Sequence, residues 1–221
     1  MSIHPSPSRP SQTHSVANQP PPLEDFNTFE QNRPLGEALE REGGGWARER
    51  VVALGAVSAS REAIDWARLA NENPPRLLTH DRYGNRIDEV EFHPAWHELL
   101  GLSVAHELHA LPWREERATD EPEPGAHVAR AALFMQIPEA GVGCPISMTY
   151  AAVPALRSTP ELADEWLPRL TSTVYDRRFI PATEKAGALC GMAMTEKQGG
   201  SDVRANTTTA RPLNGGGTGA E

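Results

Sequence analysis

Between Ala193 and Ala205 the chain reads Ala-Met-Thr-Glu-Lys-Gln-Gly-Gly-Ser-Asp-Val-Arg-Ala. Two hydroxyls (Thr195 and Ser201) can donate to oxygen or nitrogen acceptors, and the amides of Gly199 and Gly200, bare of side chains, can line an anion. A small apolar run, Leu189 to Met194, enters this stretch, and a Thr/Val-containing run from Val203 to Ala210 leaves it. Short β-prone segments around a Gly-Gly turn predict two strands joined by a loop whose backbone can approach a ligand closely. The chemistry is that of holding something polar and flat, or phosphorylated.

No other cluster competes. His93 and His97 lie four apart and His106 and His109 three apart, but His106-Glu107-Leu108-His109 is one residue short of a zinc-binding His-Glu-x-x-His. These histidines read as solvated or capping groups, and no metal is expected. Neither a Gly-Lys-Ser/Thr phosphate loop nor a Gly-x-Ser-x-Gly elbow occurs, which removes nucleotide hydrolysis and esterase chemistry. Cys144 and Cys190 lack metal spacing and are too few for a disulfide framework; both read as buried small apolar residues.

The elements that must position the loop are helical. Residues 1–24 form a Pro/Ser/Gln/His tail that cannot bury a core and carries no apolar leader segment. After Pro34, Leu35, Ala38 and Leu39 share a helix face that Gly43-Gly44-Gly45 ends. Further helices are predicted over Trp46–Leu54 and Glu62–Asn71, the latter capped by Ser60 and ended by Asn73-Pro74-Pro75. Tyr83-Gly84-Asn85 and the alternation Ile87–Phe92 suggest a hairpin insert. Then come Pro94–Ala110 with Trp96, Leu99, Leu100, Val104 and Leu108 inward, and His127–Glu139 with Val128, Ala131, Ala132 and Met135 inward. Pro145–Leu156 and Pro160–Leu170 complete the set, after an acidic, Pro-rich loop at Asp120–Gly125. From Leu189 the pattern shortens to strand length.

The signature resembles the acyl-CoA dehydrogenase flavoproteins, in which Met/Leu-Thr/Ser-Glu is followed after two residues by Gly/Ala-Gly-Ser-Asp. Met194-Thr195-Glu196 and Gly199-Gly200-Ser201-Asp202 fit without a mismatch. The wording is most similar to the adaptive-response AidB branch. So are Asn18-Gln19-Pro20, Arg41-Glu42-Gly43, Leu69-Ala70-Asn71, Asn73-Pro74-Pro75, Phe92-His93-Pro94-Ala95-Trp96-His97, Cys144-Pro145-Ile146, Met148-Thr149 and Tyr175-Asp176. The resemblance runs from about Thr13 to about Ala210.

It implies a mainly α N-terminal domain (25–186) followed by the start of a β-barrel domain, here its first strands (187–211). After these, residues 212–221 form a low-complexity tail. The implied cofactor is FAD, held by Met194, Thr195, Glu196, Gly199, Gly200, Ser201, Asp202 and Val203. Thr195 and its neighbours would line the ring, Gly200 and Ser201 would approach the pyrophosphate and the substrate side, and Asp202 would fix the turn through backbone hydrogen bonds. The implied reaction is oxidation of an acyl-CoA CH–CH bond, linked to the response to DNA alkylation. The family's glutamate base and basic surface belong to a C-terminal helical part, so no catalytic residue is expected within residues 1–221. The expectation is an incomplete, inactive version that does not retain FAD; the alternative is a non-catalytic helical module for interaction or oligomerisation. Intact family members imply an acyl-CoA-like substrate and a homo-oligomer, with DNA bound only through the C-terminal part.

A formal charge of −9 argues against neutralising phosphates. No apolar run approaches the roughly 18 residues that span a bilayer, so no membrane partner and a cytoplasmic location are expected. Arg48 with Arg50 and Arg177 with Arg178 lie beside acidic residues. The chain should therefore bind duplex DNA weakly or not at all at physiological salt. A salt-sensitive gel shift at sub-micromolar chain would contradict this.

Overall fold

The computed structural model describes Thr13 and residues 17–114, 122–197 and 199–209. Most of the expected Pro-rich tail, part of the acidic loop and the low-complexity end lie outside them. Eight α-helices and one hairpin follow in order among the described residues: α1 (Arg33–Arg41), α2 (Arg48–Ser58), α3 (Arg61–Glu72), β1 (Arg76–His80), β2 (Arg86–Glu91), α4 (Pro94–Ala105), α5 (Leu111–Arg114), α6 (Ala126–Phe134), α7 (Gly143–Leu156) and α8 (Pro160–Leu170).

Local chemistry sets most of the boundaries. Asn32 accepts from the Leu35 amide at the start of α1, and Ser60 accepts from Ala63 at the start of α3. His93 caps α4 through Nδ1, which accepts from the Ala95 amide at 3.2 Å. Each cap satisfies an amide that has no partner inside its own helix. In the hairpin, Asp81 accepts from the amides of Tyr83 and Asn85, and Gly84 supplies a positive φ of 85°. Arg76 pairs with Glu91 and Leu77 with Val90 across the antiparallel ladder. The core gathers Leu39, Leu54, Leu99, Leu100, Leu111, Leu133 and Ile146.

Three expectations need correction. The helix from Pro94 ends at Ala105 rather than Ala110, because Glu107 adopts φ 60° and Leu108 N donates back to Ser103 O at 3.1 Å. Glu107 stays near the surface between Arg50 and Arg114, while Leu108 and His109 turn inward. On α6 the buried stripe is Ala126, Ala129, Ala132 and Leu133, with Met135 72% exposed. The stripe continues into Gln136, a polar residue that no apolar pattern includes. Cys144 is exposed and Cys190 half-buried, where burial of both was expected.

Gln136 is buried because it is fully engaged. Thr28 Oγ1 donates to its Oε1 at 2.6 Å, and its Nε2 donates to Val51 O and Ala132 O, each at 3.2 Å. Asn27 Nδ2 donates to Val52 O at 2.9 Å, and Thr28 N to Gly55 O at 3.1 Å. The segment before α1 is thereby fastened over α2, at the place where α2 carries no side chain. A Cβ on Gly55 would stand 2.4 Å from Asn27 Oδ1 and 2.7 Å from Gln136 Oε1.

Alanine for glycine inside a helix ordinarily adds about 0.5–1 kcal/mol of stability. Gly55→Ala should have the opposite sign and cost about 1–3 kcal/mol through overpacking. Urea unfolding checks this; a raised midpoint would contradict it.

Candidate functional site

Beyond Leu170 the described residues form no further α-helix, and their backbone must find partners elsewhere. Side chains of the helical body supply them. Arg114 Nη1 donates to Thr171 O at 3.1 Å, and His109 Nε2 to Ser172 O at 3.1 Å. His97 Nδ1 and the Tyr175 hydroxyl lie 2.7 Å apart, and Arg169 Nη2 donates to Thr183 O at 3.0 Å. Thr149, buried on α7, gives its proton to Pro145 O and accepts from the Cys190 amide at 2.9 Å. The Met192 amide points at Met148 Sδ, 3.1 Å away. The segment entering the signature is thus fixed along α7.

Between β2, α4 and this segment lies a concavity of about 330 Å³ that includes Phe92, Trp96, His97, His109, Tyr175 and Leu189 in its lining. Sequence reasoning missed it, since its polar groups come from stretches far apart in the chain. Phe92 and Trp96 stack with centroids 3.9 Å apart. Burial pushes the Tyr175 hydroxyl up to about 12. Hydrogen bonding to Arg178 holds Asp176 well below the usual carboxylate range.

The signature itself closes on its own arms. Glu196, half-buried, accepts from Thr207 N at 3.0 Å and Thr208 N at 2.5 Å. Asn206 Nδ2 donates to Met194 O at 2.8 Å, and Gly199 N to Glu196 O at 2.9 Å. No ladder forms among the described residues of 189–209. The two strands expected there run unpaired and are tied by side chains, with a short 3-10 turn at Val203–Ala205.

The eight residues implied for the cofactor are all together in this loop, in three different situations. Met194 and Val203 are 57% and 38% exposed, and Thr195, Ser201 and Asp202 are exposed too. Glu196 is engaged with its own chain. The Asp202 side chain caps nothing, so the turn-fixing role expected of it falls to Glu196 and Asn206. Asn206 was missed because it lies beyond the motif. The two glycines differ as well. A Cβ on Gly199 would meet Asn206 Oδ1 at 3.1 Å and Glu196 O at 3.2 Å, whereas one on Gly200 would meet nothing within 4 Å.

A family model for the adaptive response protein AidB N-terminal domain matches residues 18–177. The chain is a member of the AidB family. AidB of Escherichia coli (strain K12), named as an acyl-CoA dehydrogenase, is 46% identical over 209 residues, covering 93% of this chain and 38% of that protein. Acyl-CoA dehydrogenase family member 11 of Caenorhabditis elegans is 32% identical over 143 residues, covering 64% of this chain and 22% of that protein. Among solved structures, the apo form of Bd2924 superposes with a TM-score of 0.66 at 24% identity, covering 89% of this chain and 38% of that one. Caenorhabditis elegans ACDH-11 in complex with C11-CoA gives 0.65 at 24% identity, covering 89% and 33%. These likenesses bear out the expected class, a mainly α N-terminal domain leading into the β domain of the acyl-CoA dehydrogenases. The chain spans only 38% of the Escherichia coli AidB length. The AidB domain match stops at Arg177, ahead of the signature.

His109 is 1% exposed and pushed down to about 4, first by burial. Burial also lowers His97, His106 and His127. His109 was expected to be solvated or capping; instead the bend at Glu107 carries it inside. With a folded value below the free value of about 6.5, the unfolded chain takes up the proton first. The stabilisation from neutral His109 is complete above about pH 6.5 and is lost as pH falls towards 4, on the order of 3 kcal/mol in all. His109→Gln, whose amide can still donate to Ser172 O, should flatten the thermal midpoint across that window. A profile parallel to the parent's would contradict the assignment.

Proposed function

We propose that this chain provides the N-terminal helical body and one wall of the FAD site of an AidB-type acyl-CoA dehydrogenase. The observation that carries this reading is Gly200. Its backbone φ is not in the left-handed region and the space beside it is open, so nothing within the described fold requires a glycine there. An exposed, unobstructed backbone of this kind admits a ligand that approaches it closely. Thr195 and Ser201 are exposed and donate to no other group among the described residues, and the exposed thioethers of Met192 and Met194 stand at alternate positions of the same extended run. Free donors, a bare amide and apolar surface fit one face of a flat, phosphate-bearing cofactor.

In this reading Thr195 and Met194 lie along the ring, Gly200 and Ser201 take the pyrophosphate side, and the turn between them, from Gly199 to Val203, is held by Glu196 and Asn206. Bound FAD would supply the acceptor for hydride leaving the β-carbon of an acyl thioester. Glu196 is excluded as the base that removes the α-proton, because its carboxylate is already committed to the Thr207 and Thr208 amides. None of the acidic residues of this chain takes that role. The substrate class is an acyl-CoA, a reading supported by the ACDH-11 structure in complex with C11-CoA, and the setting is the cytoplasmic response to DNA alkylation, with an FAD-binding homo-oligomer as the working form.

The described residues form one wall, and affinity needs an enclosing pocket. The isolated chain should therefore lose added FAD on gel filtration, yet at millimolar FAD shift the amide signals of Thr195, Gly200 and Ser201. Ser201→Ala should raise the FAD concentration for half-maximal shift roughly tenfold or more, the value of a lost hydrogen bond to a charged group. Lys197→Ala should leave it unchanged. Equal responses from the two variants, or no response in the parent, would overturn the reading.

A further inference from the structure

We infer that Glu196 and Asn206 are positioning residues, a side-chain clasp that presets the Gly199–Ser201 backbone before any cofactor arrives; this rests on the FAD reading of the same loop. Glu196 reaches forward to the Thr207 and Thr208 amides, and Asn206 reaches back to Met194 O. The two ties cross the loop in opposite directions, each joining the residues before the glycines to those after Val203. No ladder does so among the described residues. The clasp is also the reason for Gly199. Asn206 Oδ1 is buried without a partner, and any β-carbon at Gly199 would press on it at 3.1 Å. Gly199 admits the clasp and Gly200 admits the ligand.

A preset loop binds a charged group without first losing its own conformational freedom. An unclasped loop of exposed residues would have to be ordered by the ligand at the ligand's expense in affinity. Glu196 therefore contributes to binding without touching the cofactor through its carboxylate.

The test uses the whole chain, with amide exchange and FAD titration followed by NMR. In Glu196→Ala and Asn206→Ala the thermal midpoint should match the parent, since neither side chain belongs to the helical core. Exchange at Thr207 and Thr208 should accelerate roughly tenfold or more in Glu196→Ala. In both variants the FAD concentration for half-maximal shift of Gly200 and Ser201 should rise about as much. Glu196→Gln, which keeps one acceptor oxygen, should fall between, and Lys197→Ala should match the parent in every readout. Unchanged exchange in Glu196→Ala would overturn the clasp. Faster exchange with an unchanged FAD response would overturn the positioning role and leave the flavin reading standing. Faster exchange in a chain whose parent never responds to FAD would overturn the flavin reading and, with it, the assignment of the clasp to that cofactor.

Discussion

Every backbone amide and carbonyl taken from water needs a partner, and after Leu170 the described residues form no α-helix or sheet to provide one. The rest of the site follows from how that requirement is met. Arg114, Arg169 and Thr149 on the helices, and His109 on the turn between α4 and α5, reach the carbonyls and amides of the departing segment. Glu196 and Asn206 repeat the device inside the loop. The helical domain is thus more than a support: its polar side chains, some of them buried, perform the work that neighbouring strands perform in a sheet.

The same requirement orders the opposite end of the domain. Residues 27 and 28 precede α1 and are irregular, and their polar groups are satisfied against α2 and Gln136. The notch at Gly55 makes that approach possible. Both irregular segments therefore lie on the helices by polar contacts of defined geometry, while Leu39, Leu99, Leu133 and their neighbours hold the helices to each other. Apolar burial gives the domain its cohesion, and the hydrogen bonds give its outer segments their paths.

Elements governed by local rules were legible in the sequence. Ser60, Pro160 and the Gly84 turn mark their boundaries by short-range chemistry, and α3, α7 and α8 lie where the spacing puts them. Elements governed by distant partners were not. The α6 face is turned because Gln136 answers Thr28 from the far side of the chain, and the early end of α4 depends on Glu107 taking a left-handed bend between two arginines. In the site, the motif named the residues that meet solvent, Thr195, Gly200 and Ser201. It was silent on Asn206, whose part is visible only once the loop has closed, and on the concavity at Trp96 and Tyr175.

Fastening by side chains has a consequence that fastening by a ladder would not. A paired strand can move only in steps that either keep or invert every residue's facing. The run from Cys190 to Met194 is held on α7 through Thr149 and the flexible thioether of Met148. Its position can be adjusted in fractions of a residue by altering one tether's length, with the facing of Met192 and Met194 preserved. For a surface that must match a rigid planar molecule, such continuous adjustment lets point substitutions re-aim the loop while the helical core beneath it stays as it is.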